Sequence, residues 1–225
     1  MSRKFENALT LVLVACALVV TVAVVRKEFA APAGSSPTSD EPRRIDDWQE
    51  LTGAGIWLGS TDAAVVVIEF ADFQCPFCAV AARSLREIRS RPGEEVAVLY
   101  RHFPLDRIHP HATDAAIAAE CAAAQGVFEA FHDLLFAEQE AIGSTEWTDF
   151  GERAGVSSIS EFSACLDASW PSDRVVEDLR AAQRAGLQWT PSVIVNGMLL
   201  PGTPDLEMLE THVSRALEEK DSNTR

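Results

Sequence analysis

The tightest constraint on this chain is the apolar run Val65-Val66-Val67-Ile68-Glu69-Phe70, which leads through Ala71-Asp72-Phe73-Gln74 into Cys75-Pro76-Phe77-Cys78. A near-continuous β-branched run of this kind reads as a central strand buried on both faces. The stretch after Cys78, AVAARSLREIRS, has helical spacing, with Val80, Leu85 and Ile88 sharing a face, and Pro92-Gly93 breaks it. Val96 to Tyr100 reads as a second strand. A strand–helix–strand start implies parallel pairing through a right-handed crossover. The C-x-x-C therefore sits on a helix start. There the unpaired N–H groups and the helix dipole favour a thiolate at Cys75, drawing its pKa from about 8.5 toward roughly 3.5–7.5. Pro76 suits the first helical turn because it has no N–H to leave unsatisfied. Cys78, one turn on, is placed to attack a mixed disulfide at Cys75 and release the bound partner.

Two inert roles compete with this chemistry. A structural zinc site needs about four ligands, usually as two close pairs, whereas Cys121 and Cys165 stand alone. The other is a purely structural disulfide between Cys75 and Cys78. His102, His109 and His111 cluster in RHFPLDRIHPHA, and with the cysteines they suggest a copper site of the thioredoxin-like metallochaperone kind. Those proteins resemble C-x-x-x-C, so the spacing is wrong, and the three read as loop and helix-start histidines. His132 and His212 read as ordinary helix positions. No metal and no cofactor are expected.

Elsewhere, Ile56-Trp57-Leu58 reads as a short edge strand, and His111 to about Gly186 as four or five helices. Asn196-Gly197 between the apolar runs Ser192–Val195 and Met198–Leu200 is a hairpin signal. Pro204 to Glu219 reads as a closing helix with Leu206, Leu209, Val213 and Leu217 as its apolar stripe. The segment Ile68 to Cys78 resembles the active-site region of the DsbA-like branch of the thioredoxin superfamily. Trp189-Thr190-Pro191-Ser192-Val193-Ile194-Val195-Asn196-Gly197 resembles that family's cis-proline loop and hairpin. The expected architecture is α/β: a thioredoxin fold over 48–218 with an all-helical insertion at about 108–187, and a tail at 219–225.

The resemblance implies a thiol–disulfide oxidoreductase with Cys75 as nucleophile and Cys78 as resolving cysteine. It implies a cis Pro191 against the pair, and Thr190, Pro76 and Phe77 at the substrate. It implies that Glu69 is a buried acid used in proton transfer; a solvent-exposed strand-end carboxylate is the plain alternative. It also implies a second disulfide between Cys121 and Cys165, with two buried free thiols as the alternative. Phe77 departs from the strongest oxidants of the family, which carry histidine there, so a weaker oxidant is expected. Oxidase, isomerase and reductase directions stay open, with a metallochaperone or a non-redox binding module as the competing classes.

The N-terminus carries Ala8 to Val25, eighteen residues without charge, which is long enough to span a bilayer. It ends directly in Arg26-Lys27 rather than in a small-residue cleavage site, so residues 1–27 read as an uncleaved anchor, with a signal segment cut near Ala30 to Ala33 as the alternative. Leu13-Val14-Ala15-Cys16 resembles a lipobox, but more apolar residues follow Cys16. Residues 28–47, rich in Pro, Ser and Ala, read as a flexible linker. Arg3 and Lys4 precede the apolar segment, while Arg26, Lys27, Arg43 and Arg44 follow it, an imbalance that favours the domain inside. Dithiol chemistry requires an oxidising compartment, and that argument outweighs the imbalance, placing the domain on the extracytoplasmic side. The expected partners are cysteine-containing secreted or envelope proteins, a membrane redox partner and the membrane itself. A net charge of −15 argues against nucleic acid, whose phosphates call for a basic surface.

Overall fold

The computed structural model describes residues 41–91 and 96–223. The expected anchor, the lipobox and most of the expected linker lie outside the described residues. Among the described residues no helix is long and apolar enough to cross a membrane.

The sheet is built from β1 (Arg43–Arg44), β2 (Ile56–Leu58), β3 (Val65–Ala71), β4 (Val96–His102), β5 (Ser192–Val195) and β6 (Met198–Leu199). Its order is β1-β6-β5-β3-β4-β2, with β3 and β4 parallel and the other neighbours antiparallel. The helix α1 (Pro76–Arg89) crosses between β3 and β4, and α7 (Leu206–Asn223) closes the chain. Between β4 and β5 lie α2 (Ala112–Ala124), α3 (Phe128–Ala137), α4 (Trp147–Ala154), α5 (Ile159–Leu166) and α6 (Trp170–Arg184), with a 3-10 turn at Gln139–Ala141.

The central strand is covered on both faces, which is why it reads as a nearly unbroken apolar run. Val65, Val67 and Ala71 pack toward α1, α7 and the helical insertion, whereas Ile68 and Phe70 pack toward Ala181 and Ala182 of α6. Strand alternation therefore sends Glu69 to the α1 side. The hairpin turn has positive φ at Asn196 and Gly197, as a two-residue type I′ loop requires. A Cβ on Gly197 would come within 2.4 Å of Trp48 Cδ1, so no other residue fits there.

Three boundaries and one face differ from the expectation. Strand β4 continues to His102, which is buried at the strand end rather than in a loop. The linker expected over 28–47 contributes β1 to the sheet edge, with Ile45 buried and Arg43 Nη2 donating to Ala185 O at 3.2 Å. The domain expected to start at Trp48 therefore includes these residues. The final helix runs to Asn223, through most of the expected tail. Val80 is exposed while Cys78, Ala81, Ala82, Leu85 and Ile88 are buried. Five residues on a helix rotate by about 140°, so Val80 cannot share the face of Leu85.

Cys121 of α2 and Cys165 of α5 form a disulfide, with Cα atoms 5.8 Å apart. It crosslinks two helices, the first of which buries mainly alanine. Replacing both cysteines by alanine is expected to lower stability by about 2–4 kcal/mol, the usual range for a loop of this size. Denaturant midpoints of the two forms would measure this. A change below about 0.5 kcal/mol would show that helix packing alone holds the insertion together.

Candidate active site

Cys75 is the N-cap of α1, with extended backbone, and Pro76 begins the helix. The backbone N–H of Cys78 donates to Cys75 O at 3.1 Å. Both cysteines are free thiols and both are buried, although Pro76 and Phe77 between them are exposed. Pro191 follows a cis peptide bond, and the loop it shapes brings Thr190 O to Cys75 Sγ, which donates to it at 3.5 Å. Strand pairing of β5 beside β3 is what carries this loop to the start of α1, more than a hundred residues away in sequence.

The two sulfurs titrate in opposite directions. Cys75 is lowered from 9.0 to about 5, chiefly by a hydrogen bond from the Cys78 thiol. Burial opposes that shift, while the Thr190 side chain and the N–H groups of Cys78 and Phe77 add to it. Thr190 Oγ1 makes no aligned hydrogen bond with the thiol present; its effect is that of a nearby donor available to a thiolate. Cys78 is raised well above 9.0, first by burial, then by its bond to Cys75 and by the charges of Cys75 and Glu69. A low-pKa sulfur at the helix start with a high-pKa sulfur behind it makes an asymmetric pair. The first leaves and attacks readily, and the second must exchange a proton to act.

Glu69 is 1% exposed, its Oε1 has no hydrogen-bond partner, and burial raises its carboxyl to about 8. The structure therefore places it behind the dithiol in the core, not at an exposed strand end.

Several supporting residues gave little sign in the sequence. Asp72 is buried and organises the loop before Cys75. Its Oδ1 accepts from Gln74 N at 2.8 Å, and its Oδ2 accepts from Leu105 N at 2.8 Å and bonds His109 Nδ1 at 2.7 Å. Its own N–H donates to Cys78 Sγ at 3.5 Å. Gln139, in the 3-10 turn of the insertion, donates to Phe73 O at 2.7 Å and Cys75 O at 2.9 Å. Gln74 Oε1 accepts from His111 N at 2.7 Å. The helical insertion thus clamps the active-site loop. A D-x-Q pattern before the first cysteine and a histidine in the next loop are the only local hints, since nearly every partner is distant in sequence.

The three clustered histidines do not converge on the cysteines: His109 bonds Asp72, His111 precedes α2, and His102 points at Glu120, 3.3 Å away. Ligand atoms of His102, Glu120 and Asp178 lie within 4.8 Å of one another. Asp178, however, is already engaged by the Arg101 guanidinium at 2.6 Å, a cation in the place where a metal would have to bring its charge.

A dithiol on a helix start, backed by a proline loop and a buried acid, defines a domain of the thiol–disulfide exchange type. The chain belongs to the thioredoxin family, whose model, described as thioredoxin, matches residues 51–215. With its helical insertion it has the DsbA-like form of that fold. A thioredoxin-like oxidoreductase from Silicibacter pomeroyi superposes with a TM-score of 0.62 at 26% identity, covering 72% of this chain and 92% of that one. Oxidised BdbD from Bacillus subtilis gives a TM-score of 0.64 at 23% identity, covering 72% and 92%. Among curated proteins, the Na(+)/H(+) antiporter NhaA 1 of Mycolicibacterium vanbaalenii is 37% identical over 156 residues, 67% of this chain and 25% of the antiporter. This chain therefore spans about a quarter of the length of that relative.

Proposed function

We propose that this protein donates disulfides to cysteine-containing proteins outside the cytoplasm, held at the membrane by its N-terminal segment and re-oxidised there by a membrane redox partner. The observation that carries the reading is the Cys75 sulfur, lowered to about 5 at the helix start, against the buried Cys78. A stabilised thiolate stabilises the reduced form and so makes the disulfide form a better oxidant. DsbA, whose oxidising power has this origin, lies at about −120 mV, and thioredoxin at about −270 mV. The Cys121–Cys165 bridge supports the compartment, because such bonds persist under oxidising conditions. Na(+)/H(+) exchange belongs to the antiporter relatives and is not carried over.

Equilibrating the pair with glutathione tests the direction. A potential above about −200 mV is expected, and one of about −270 mV would make the protein a reductase instead. A C-terminal reporter enzyme active only outside the cytoplasm tests the topology, and a reporter active only inside would overturn the compartment.

The pH dependence follows from the sign of the Cys75 shift. A thiol with a depressed pKa stabilises the folded reduced form fully above 9.0 and loses that contribution as pH falls through about 5. Alkylation of Cys75 should accordingly inflect at about pH 5. Phe77→His should lower the inflection further and raise the potential in step, by about 30 mV for each pKa unit. Phe77 is 59% exposed and the thiolate is already favoured without histidine, so the expected change is under about one unit. A lowered inflection with an unmoved potential would mean that the oxidised form had been stabilised equally.

A further inference from the structure

A narrow cleft of about 10 Å³, room for roughly one water, runs between α1, the sheet and α3. Glu69 lines it from the sheet, His132 and Asp133 from α3, and Arg86 and Arg89 from α1, with apolar side chains completing the wall. Arg86 and Asp133 form an ion pair, with side chains 49% and 30% exposed, so the cleft meets solvent beside them. Two buried polar atoms on the cleft's residues have no hydrogen-bond partner: Glu69 Oε1 and His132 Nε2. The opposite ring nitrogen, His132 Nδ1, lies 3.0 Å from Asp133 Oδ1, which fixes the ring. Buried polar atoms are ordinarily satisfied by protein or by water, and both of these belong to residues that line one water-sized cleft.

We propose that His132 is the second station of a proton relay, exchanging protons between solvent and Glu69 through a single bridging water. The proposal rests on the disulfide-exchange reading of the site and extends it from Glu69 to the insertion helix α3. When Cys78 resolves a mixed disulfide at Cys75, its S–H bond breaks and the proton passes to the Glu69 carboxylate. The sulfur electron pair forms the Cys75–Cys78 bond, and the partner sulfur leaves as a thiolate. Glu69 then gives a proton to the water, which gives one to His132 Nε2, while Asp133 at Nδ1 stabilises the imidazolium. The Nδ1 proton leaves to solvent, and the reverse sequence serves disulfide donation.

The surroundings fit this traffic. Burial raises Glu69 to about 8, near the pH at which it must both take and give a proton. His132 is lowered by burial, against Asp133 and Glu129, which raise it, and with Arg86, which also lowers it. It therefore holds a proton only briefly. Tyr100, the β4 partner of Glu69 in register, stands edge-on to His132 at 5.1 Å between ring centroids. Burial and the nearby Glu69 keep its hydroxyl protonated. Phe73, Phe128 and Phe136 enclose the rest of the ring and add no charge.

The test reads resolution itself, on a disulfide installed chemically and so independent of any client. The reduced full chain, in detergent and in a Cys16→Ala background, is mixed with dithionitrobenzoate. Release of the second nitrothiobenzoate times the attack of Cys78 on Cys75. His132→Phe keeps the aromatic packing and should slow this phase about tenfold at pH 7. His132→Asn, which retains a polar group, should slow it less. The deficit should close above about pH 9, where the proton no longer needs a carrier, and the first phase should keep its pH profile. In a Glu69→Gln background, His132→Phe should add nothing further. Wild-type resolution in His132→Phe, a loss equal at every pH, or full additivity with Glu69→Gln would each overturn the relay. Loss of client oxidation with the resolution kinetics intact would instead count against the proposed function alone.

Discussion

Cys75→Ser will reduce disulfide exchange with protein thiols by at least about a thousandfold, while Cys78→Ser will trap the protein as a mixed disulfide. Only Cys75 occupies the helix N-cap and meets the Thr190 carbonyl, so an incoming sulfur reaches the pair there. Cys78 is wholly buried and its thiol stays protonated, which places it to resolve what Cys75 captures. Serine at 78 keeps a hydroxyl donor where the Cys78 thiol had been the main support of the Cys75 thiolate. Alanine at 78 removes that donor. Cys78→Ser should therefore keep a low Cys75 inflection and accumulate adducts, and Cys78→Ala should show a raised inflection and form them more slowly. Non-reducing gels with mass spectrometry of the adducts, beside an insulin-reduction assay, would show both. Turnover retained in Cys75→Ser would remove the dithiol from the mechanism.

The second large effect is structural. Arg101 of β4 is 1% exposed, and its charge is met by Asp178 of α6. Nε donates to Oδ1 at 2.7 Å and Nη2 lies 2.6 Å from the same oxygen, while Nη1 donates to Leu51 O at 2.8 Å. The other carboxylate oxygen accepts from His102 N at 2.7 Å. One side chain thus ties the last insertion helix to the end of β4. Burial raises the Asp178 pKa even with Arg101 beside it, so desolvation outweighs the attraction, as is common for buried pairs. The intact pair accordingly adds little relative to apolar side chains, but losing one member strands a charge in the core. Asp178→Asn should cost about 3–5 kcal/mol, and adding Arg101→Met, which removes the stranded cation and leaves an amide acceptor for His102 N, should recover most of it. Urea unfolding of the three forms decides this; a single-variant cost below about 1 kcal/mol would mean that water reaches the guanidinium.

What the sequence determined on its own was whatever depends on near neighbours. The β-branched run, the C-x-x-C opening a helix, the helical spacing from His111 onward and the Asn-Gly turn each have a local cause, and the structure has a strand, a helix start, five helices and a hairpin there. The place of Val80 was local too, and counting about 100° per residue would have exposed it. The Cys121–Cys165 pairing came from family resemblance, because spacing alone says nothing about which thiols meet. Tertiary structure alone decided the rest: Arg43–Arg44 at the sheet edge, Gln139 on the Cys75 carbonyl, and Asp72 shared by Gln74, Leu105 and His109. It likewise decided Asp178 under Arg101 and His132 in the cleft of Glu69. Most of these join residues remote in the chain, and a lone Asp, Gln or His reads the same whether it faces solvent or a buried partner. Burial then turns an ordinary carboxyl into one near 8, and the groups packed at the helix start turn an ordinary thiol into one near 5. With water removed, the few groups against each sulfur and carboxyl are left to set its charge.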